Sequence, residues 1–289
     1  MKEITVKTPA KVNLFLDVLA RENNGFHSLI TLFQAIRIFD IIRIFPSRKN
    51  DLTLKPDDIV IEHNIAWDVI DRIKRIRKLD TYFKITIEKN IPMGAGLGGG
   101  SSNACGVLLG IDHLLDLKLT HEEKLHIMRA VGSDTAFFLK GGMQFGMHFG
   151  EMLDVIEYPL IYSIVLVYPG IAISTRQAYQ ALESVMFRKG EKKLKAIIRS
   201  LEEKNLDYLI DNLYNIFEEI EYQQYSILPE IKKRLKGEGA DNALLSGTGA
   251  TVYGIFKDTE RAKKAFKKME KEYDKVFLTQ PWNQGVILC

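Results

Sequence analysis

Residues 92–104, PMGAGLGGGSSNA, carry the strongest chemical signal in the chain. Gly94, Gly96, Gly98, Gly99 and Gly100 put five glycines into seven residues, between a strand-like and a helix-like pattern. Without Cβ atoms in the way, backbone N–H groups can converge on an anion. The helix that follows points its positive end and its unpaired N–H groups at the same place. Ser101 and Ser102 could cap that helix, bind phosphate oxygens or hold Mg²⁺. A polyphosphate is the ligand such a loop suits. Two familiar versions of it differ in detail. Gly94-x-Gly96-x-x-Gly99 matches the dinucleotide fingerprint, but the acid wanted on a second strand about 20 residues on falls at a helix end near Asp116. Gly94 and Gly99 have the spacing of a Walker A loop, but Gly100 stands where its lysine belongs. Cationic help for a bound nucleotide must therefore come from elsewhere in the chain.

Two further segments stand out by residue type and spacing. In TPAKVNLFLDV (8–18), Lys11 and Asn13 are two apart on a strand and so share a face. SGTGATVY (246–253) is a small-residue turn entering a strand. Asp134, after the glycine at 132, sits where it could cap a short helix. The six histidines, His27, His63, His113, His121, His126 and His148, make no metal-ligand pattern such as H-E-x-x-H, and the residues holding any metal stay open.

The elements that must position these groups read as follows. Residues 3–7, 12–19, 36–46 and 82–90 have strand alternation. Asn64 caps a helix to about Leu79, with Ile65, Val69, Ile70, Ile73 and Ile76 as one stripe. The basic residues around Arg72–Lys78 form its solvated side. A helix over 102–115 follows the glycine loop. Thr120-x-x-Glu123 is a capping box for a helix to about Val131, ended by Gly132. Residues 162–169 read as a buried strand, with helices near 176–186, 191–203 and 206–220. Strands near 251–256, 275–280 and 285–288 flank a lysine-rich helix over 259–273. This order predicts an α+β fold. The expected division is 1–157, with the glycine loop and the reactive groups, and 158–289.

The chain has 289 residues, 46% of them hydrophobic, enough for a packed core. Lys and Arg total 40 against 37 Asp and Glu, a net charge of +3. That steers phosphate-bearing ligands weakly and gives no case for a nucleic-acid partner. Two cysteines, Cys105 and Cys289, make no disulfide framework. The first residues lack the layout of a signal peptide, and no apolar run of about 18 residues occurs. The expectation is a cytoplasmic protein with no membrane partner and an oligomeric state that the sequence leaves open.

Taken in order, the P-x-K-x-N strand at 9–13, the P-x-G-x-G-L-G loop at 92–98 with its following serines, and the G-T-G-A segment at 247–250 resemble the motif set of the GHMP kinases. The resemblance spans nearly the whole chain. Within that superfamily, GFHSLITLFQAI (25–36), the triple glycine, GSDTAFFL (132–139) and PGIAIST (169–175) are similar to segments of the diphosphocytidyl-methylerythritol kinases of the non-mevalonate isoprenoid pathway. The resemblance implies a ribosomal-protein-like N-terminal domain, a ferredoxin-like C-terminal sandwich, and phosphoryl transfer from ATP with Mg²⁺ to a small-molecule hydroxyl on a cytidine diphosphate compound. It implies that Asp134 is the catalytic base and Lys11 its partner. Pro92, Met93, Gly94, Ala95, Gly96, Leu97, Gly98, Gly99, Gly100, Ser101 and Ser102 would hold ATP. Phe26, His27, Asn13 and Lys11 would hold the cytosine end, flanked by Phe149 and Tyr179. The chain departs from that family at Phe26, which replaces a tyrosine, and at Ser133, Thr135 and Ala136 beside the aspartate. Another GHMP kinase, for mevalonate, phosphomevalonate or homoserine, is the alternative. An RNA-binding module of related fold lacks the basic and aromatic clustering that RNA uses, and a nicotinamide oxidoreductase lacks its strand acid.

Overall fold

The structure, a computed structural model, describes residues 3–23, 27–56, 59–60, 64–157, 161–182 and 190–289. Phe26 and His63 therefore lie outside the described residues, as do 158–160, where the chain was expected to divide, and 183–189, which include the end of the helix expected over 176–186. Among the described residues the strands are β1 (Ile4–Arg21), β2 (His27–Ser47), β3 (Asp51–Lys55), β4 (Ile59–Val60), β5 (Tyr82–Glu88), β6 (Met143–His148), β7 (Met152–Ile156), β8 (Ser163–Tyr168), β9 (Tyr214–Asn215), β10 (Asn242–Leu245), β11 (Val252–Phe256), β12 (Lys275–Thr279) and β13 (Ile287–Leu288). The helices are α1 (Ile65–Arg77), α2 (Gly99–Leu114), α3 (His121–Val131), α4 (Phe137–Lys140), α5 (Thr175–Ala181), α6 (Glu191–Glu202), α7 (Leu206–Asp211), α8 (Glu218–Gln224), α9 (Ile227–Gly237) and α10 (Thr259–Met269).

The expected α+β class holds. One sheet runs β13-β1-β2-β5-β3-β4, with β6 and β7 continuing from β2 and β9 beside β1. The other is the antiparallel set β10-β11-β8-β12. Its strand β8 is buried along its whole length, as the unbroken apolar run predicts.

The framework of the larger sheet is the long antiparallel pair β1–β2, in register from Ile4↔Ile44 to Arg21↔His27. Three irregularities, at Pro9/Ala10, Asn13/Phe15 and Val18/Ala20, interrupt it. Pro9 has no N–H to give a ladder, and a bulge is where a strand tolerates that. Bends of this kind let one end of β2 pair with β5 and the other with β6. The sequence reading divided β1 in two because its alternation lapses at these bulges, and the residues from Ala10 to Leu16 are buried on both faces.

Caps behave as the sequence predicts at two helices. Asn64 Oδ1 accepts from Ala66 N (2.9 Å) at α1, and Thr120 with Glu123 forms a complete capping box at α3. The stripe of α1 is buried at Val69, Ile70 and Ile73, while Ile76 is exposed. One helical expectation fails. The stretch 206–220 is not one helix but α7, the short strand β9 and the start of α8. Asn215 causes the break. Its Nδ2 donates to Leu245 O and Gly247 O (2.8 Å each), its Oδ1 accepts from Phe217 N (3.0 Å), and β9 pairs with Phe15 and Leu16 of β1. Side-chain bonds to the backbone outcompete the helix there.

The C-terminal half closes onto the N-terminal sheet. β9 and β13 both add to β1, and one apolar cluster joins Val12, Leu14 and Leu97 to Val165, Tyr253 and Phe217. The glycine loop lies at this junction.

Candidate active site

Lys11 rises from the middle of β1, where the strand is buried on both faces, and its side chain is only 4% exposed. Burying an ammonium is costly unless it is paired. Its Nζ donates to Asn13 Oδ1 at 2.7 Å, stands 3.3 Å from Asp134 Oδ2, and lies 5.4 Å over the Phe33 ring. Its backbone N–H donates to Leu97 O (3.0 Å), tying the strand to the glycine loop. The i, i+2 spacing thus puts Lys11 and Asn13 on one face, as read from the sequence.

Asp134 comes from the turn between α3 and α4. The N-cap of α4 is Ala136, with no side-chain bond. Asp134 is therefore not the helix cap that its position suggested. Thr135 takes the structural duty instead, its hydroxyl lying 2.5 Å from Met128 O and 2.7 Å from Gly132 O. The Asp134 carboxylate is left facing Lys11, about one third exposed.

The two groups border a cavity of about 510 Å³. The loop from Pro92 to Ser101 forms one wall, with Asn64, Lys89 and Asn103. Asn13, Thr31, Thr175, Tyr179, Gly247 and Thr248 line it elsewhere. The loop's shape requires glycine at two points. Gly98 has φ +70° and is the N-cap of α2, and a Cβ there would lie 2.9 Å from both Lys11 Cγ and Phe138 Cζ. Gly96 has φ +74°, and a Cβ on it would lie only 2.0 Å from Ser246 O. Ser246 Oγ donates to Gly96 O (3.0 Å) and Thr251 N to Ala95 O (3.3 Å), so the 246–250 turn is a brace for the loop. The helix starts earlier than expected. Ser102 N closes the first helical bond onto Gly98 O (2.9 Å), so Ser101 and Ser102 lie inside the first turn rather than at its cap. The N–H groups of residues 99–101 precede that bond and are the unpaired ones a helix start offers to an anion. Ser101 reaches the cavity; the Ser102 hydroxyl is buried with no hydrogen-bond partner.

The cation that the loop itself lacks has a second source that the sequence reading missed. Lys89, at the exit of β5, pairs with the fully buried Asp40 and donates to Asn103 Oδ1 (3.0 Å). A Cβ on Gly99 would lie 3.2 Å from Lys89 Nζ. Asp40 also accepts from Asn90 N, Ile91 N (2.8 Å each) and Asn103 Nδ2 (2.9 Å). One carboxylate so fixes the strand before the loop and the helix after it. Asp40 and Lys89 are 49 residues apart in sequence, and nothing in local spacing pairs them.

Of the residues expected at the cytosine end, Asn13 and Tyr179 line the cavity. The His27 ring stands 5.3 Å from that of Tyr179, which also meets Phe217 at 5.0 Å. Burial, with the Asp134 charge nearby, pushes the Tyr179 phenol well up. Phe149 is packed against His148 (3.8 Å between rings) and is not among the described residues lining the cavity. It belongs to the same turn as Gly150, on which a Cβ would lie 3.8 Å from Asp134 Oδ1.

The sequence matches the model of the GHMP kinases N-terminal domain over residues 64–142 and that of the GHMP kinases C-terminal domain over 194–275. It is 36% identical to the 4-diphosphocytidyl-2-C-methyl-D-erythritol kinase of Syntrophomonas wolfei over 280 residues, covering 96% of this chain and 98% of that one. The chain belongs to the GHMP kinases. This GHMP kinase is also 37% identical to the 4-diphosphocytidyl-2-C-methyl-D-erythritol kinase of Geobacter metallireducens, over 92% of its own length and 93% of that protein's. Its fold superposes on a crystal structure of 4-(cytidine 5'-diphospho)-2C-methyl-D-erythritol kinase with a TM-score of 0.77 at 25% identity, covering 96% of this chain and 98% of that one. A homoserine kinase from Cytophaga hutchinsonii shares the fold at the same TM-score and 19% identity, over 100% and 98% of the two chains. In this GHMP kinase no described helix is long and apolar enough to cross a membrane.

Proposed function

We propose that this protein transfers the terminal phosphoryl group of ATP to the 2-hydroxyl of 4-diphosphocytidyl-2-C-methyl-D-erythritol, a step in making isoprenoid precursors in the cytoplasm. The observation that carries the chemistry is the Lys11–Asp134 pair, 3.3 Å apart at the edge of a cavity walled by the glycine loop. Full-length identity to kinases of that name supports the acceptor.

Phosphoryl transfer asks for positioning and charge neutralisation more than covalent chemistry. The loop amides and the α2 N-terminus would hold the β- and γ-phosphates. Asp134 would orient the acceptor hydroxyl and take its proton as the oxygen attacks. Lys11, held by Asn13, would offset negative charge growing on the transferring group. Lys89 has three N–H groups and gives two to Asp40 and Asn103, so one remains to turn toward a nucleotide. Tyr179 and His27 offer adjacent ring faces for a cytosine, and Phe26 and Phe149 would complete that end. Mg²⁺ suits such a site: Asp134 and Ser101 supply oxygens beside the loop, and this hard ion is ordinarily held by one or two carboxylates, phosphates and water, where it would neutralise phosphate charge. Residues 1–157 would bring the loop and the reacting groups, and 158–289 the brace at 246–250 and the wall at Thr175 and Tyr179. No nucleic acid enters this reading.

The test is incubation with Mg-ATP and 4-diphosphocytidyl-2-C-methyl-D-erythritol, followed by product mass, with mevalonate and homoserine alongside. A product one phosphate heavier from the cytidylyl compound alone is the expected result. Phosphorylation of mevalonate or homoserine instead would keep the kinase and overturn the acceptor.

A further inference from the structure

We infer that Thr31 is a positioning residue for phosphoryl transfer, acting on Lys11 through the side chain of Asn13. The inference rests on the reading of Lys11 and Asp134 given above. Thr31 lies on β2 and is fully buried. Its hydroxyl donates to Phe15 O at 2.7 Å. That carbonyl is reachable because the β1–β2 register breaks between Asn13 and Phe15. With its one proton spent there, the Thr31 oxygen can only accept. It accepts from Asn13 Nδ2 at 2.8 Å, which turns the other end of the amide, Oδ1, toward Lys11 Nζ at 2.7 Å.

The direction of each bond follows from the one before: carbonyl, hydroxyl, amide, ammonium. An amide is nearly symmetric in shape, so its orientation is set by its two neighbours: the Lys11 ammonium, which only donates, and the Thr31 oxygen, which here only accepts. The exchanged form puts N–H groups against the ammonium, donor against donor. Tyr253 fixes the same residue from the other side, its hydroxyl donating to Asn13 O at 2.7 Å, but that bond holds the backbone and leaves the amide free to rotate. Thr31 is therefore the anchor at the far end of the amide, holding Nδ2 so that Oδ1 stays in place against Lys11. Because its hydroxyl is already used twice, the residue works through Asn13 rather than by touching the reacting groups.

The test compares Thr31→Val, which keeps the shape and removes the hydroxyl, with Thr31→Ser, which keeps the hydroxyl, using Mg-ATP and 4-diphosphocytidyl-2-C-methyl-D-erythritol. Misplacing a group that acts on the transferring phosphoryl costs up to about a hundredfold. The expected result is a kcat lower by about tenfold to a hundredfold in Thr31→Val, with KM for ATP within about twofold and Thr31→Ser within about threefold of the parent. In an Asn13→Ala background the valine substitution should cost nothing more, since the two residues act as one unit. Thr31→Ala replaces the valine variant if that protein does not fold by circular dichroism. A parental kcat in Thr31→Val, or a full additional loss in the Asn13→Ala background, overturns the inference. Lys11→Met and Asp134→Asn run in the same assay separate the two levels. If both are inactive while Thr31→Val is normal, only the role of Thr31 falls. If either retains parental kcat, the assignment of the reacting groups falls and that of Thr31 with it.

Discussion

Gly96→Ala probes the contact between the glycine loop and the C-terminal turn, and its cost can be worked from the structure. The residue has φ +74°, a conformation costing an L-residue about 1–2 kcal/mol. Its new Cβ would lie 2.0 Å from Ser246 O and 2.9 Å from Gly249 O. Both are backbone atoms, so relief requires the 246–250 turn to move, and overpacking of this kind costs about 1–3 kcal/mol. The sum is about 2–5 kcal/mol. At about 2 °C per kcal/mol for a chain of this size, Tm should fall by about 4–10 °C. Displacing the brace also moves the loop amides, so KM for ATP should rise by about tenfold or more. Gly100→Ala is the control. It lies in the first turn of α2, and a Cβ there meets nothing within 4 Å. Stability should be unchanged or up to about 1 kcal/mol higher, while KM for ATP rises because the methyl group stands beside the phosphate site. Thermal unfolding and steady-state kinetics on both variants decide the matter. A Gly96→Ala protein with parental Tm and parental KM for ATP would refute the bracing argument, as would an equal loss of stability in Gly100→Ala.

Asp134→Asn should lower kcat by about 10²–10⁴-fold, the usual worth of a positioned general base, with KM for ATP within about threefold; steady-state kinetics at saturating acceptor reads both. Asp40→Ala leaves the Lys89 ammonium and the amides of residues 90 and 91 without their carboxylate. Breaking a buried pair from one side costs about 3–5 kcal/mol, so urea unfolding should show a loss of that order with KM for ATP raised. Glu221 is buried with Oε2 lacking a hydrogen bond, and burial pushes its carboxyl from the ordinary 4.5 up to about 7. Between these values the folded protein holds a proton that the unfolded chain releases. Stability should therefore fall as pH rises from about 4.5 to 7 and then level off. Glu221→Gln should remove that fall, which unfolding midpoints at pH 5 and pH 8 will show; a parental pH slope in the variant would refute it.

The sequence by itself determined the elements whose cause is local. The capping box at Thr120, the Asn64 cap, the alternation of β5 and the apolar run of β8 are set by neighbouring residues, and they stand where expected. It also exposed the glycine loop, because glycine is the residue that most readily meets positive φ values such as those at 94, 96 and 98. The pairing of Lys11 with Asp134 came from resemblance to a family and not from spacing, since 123 residues separate them. Tertiary structure alone decided the rest. Asp134 looked like a cap until Thr135 satisfied the turn and released the carboxylate. Ser101 and Ser102 looked like caps until the helix was seen to begin at Gly99. Lys89 was one lysine among many until buried Asp40 gave it a fixed place beside the loop, and Thr31 acquires a direction for its proton only because a bulge opens Phe15 O. Periodicity reports which face of an element is apolar. It carries no account of which buried donor meets which acceptor, and that matching across distant segments is what shapes the site.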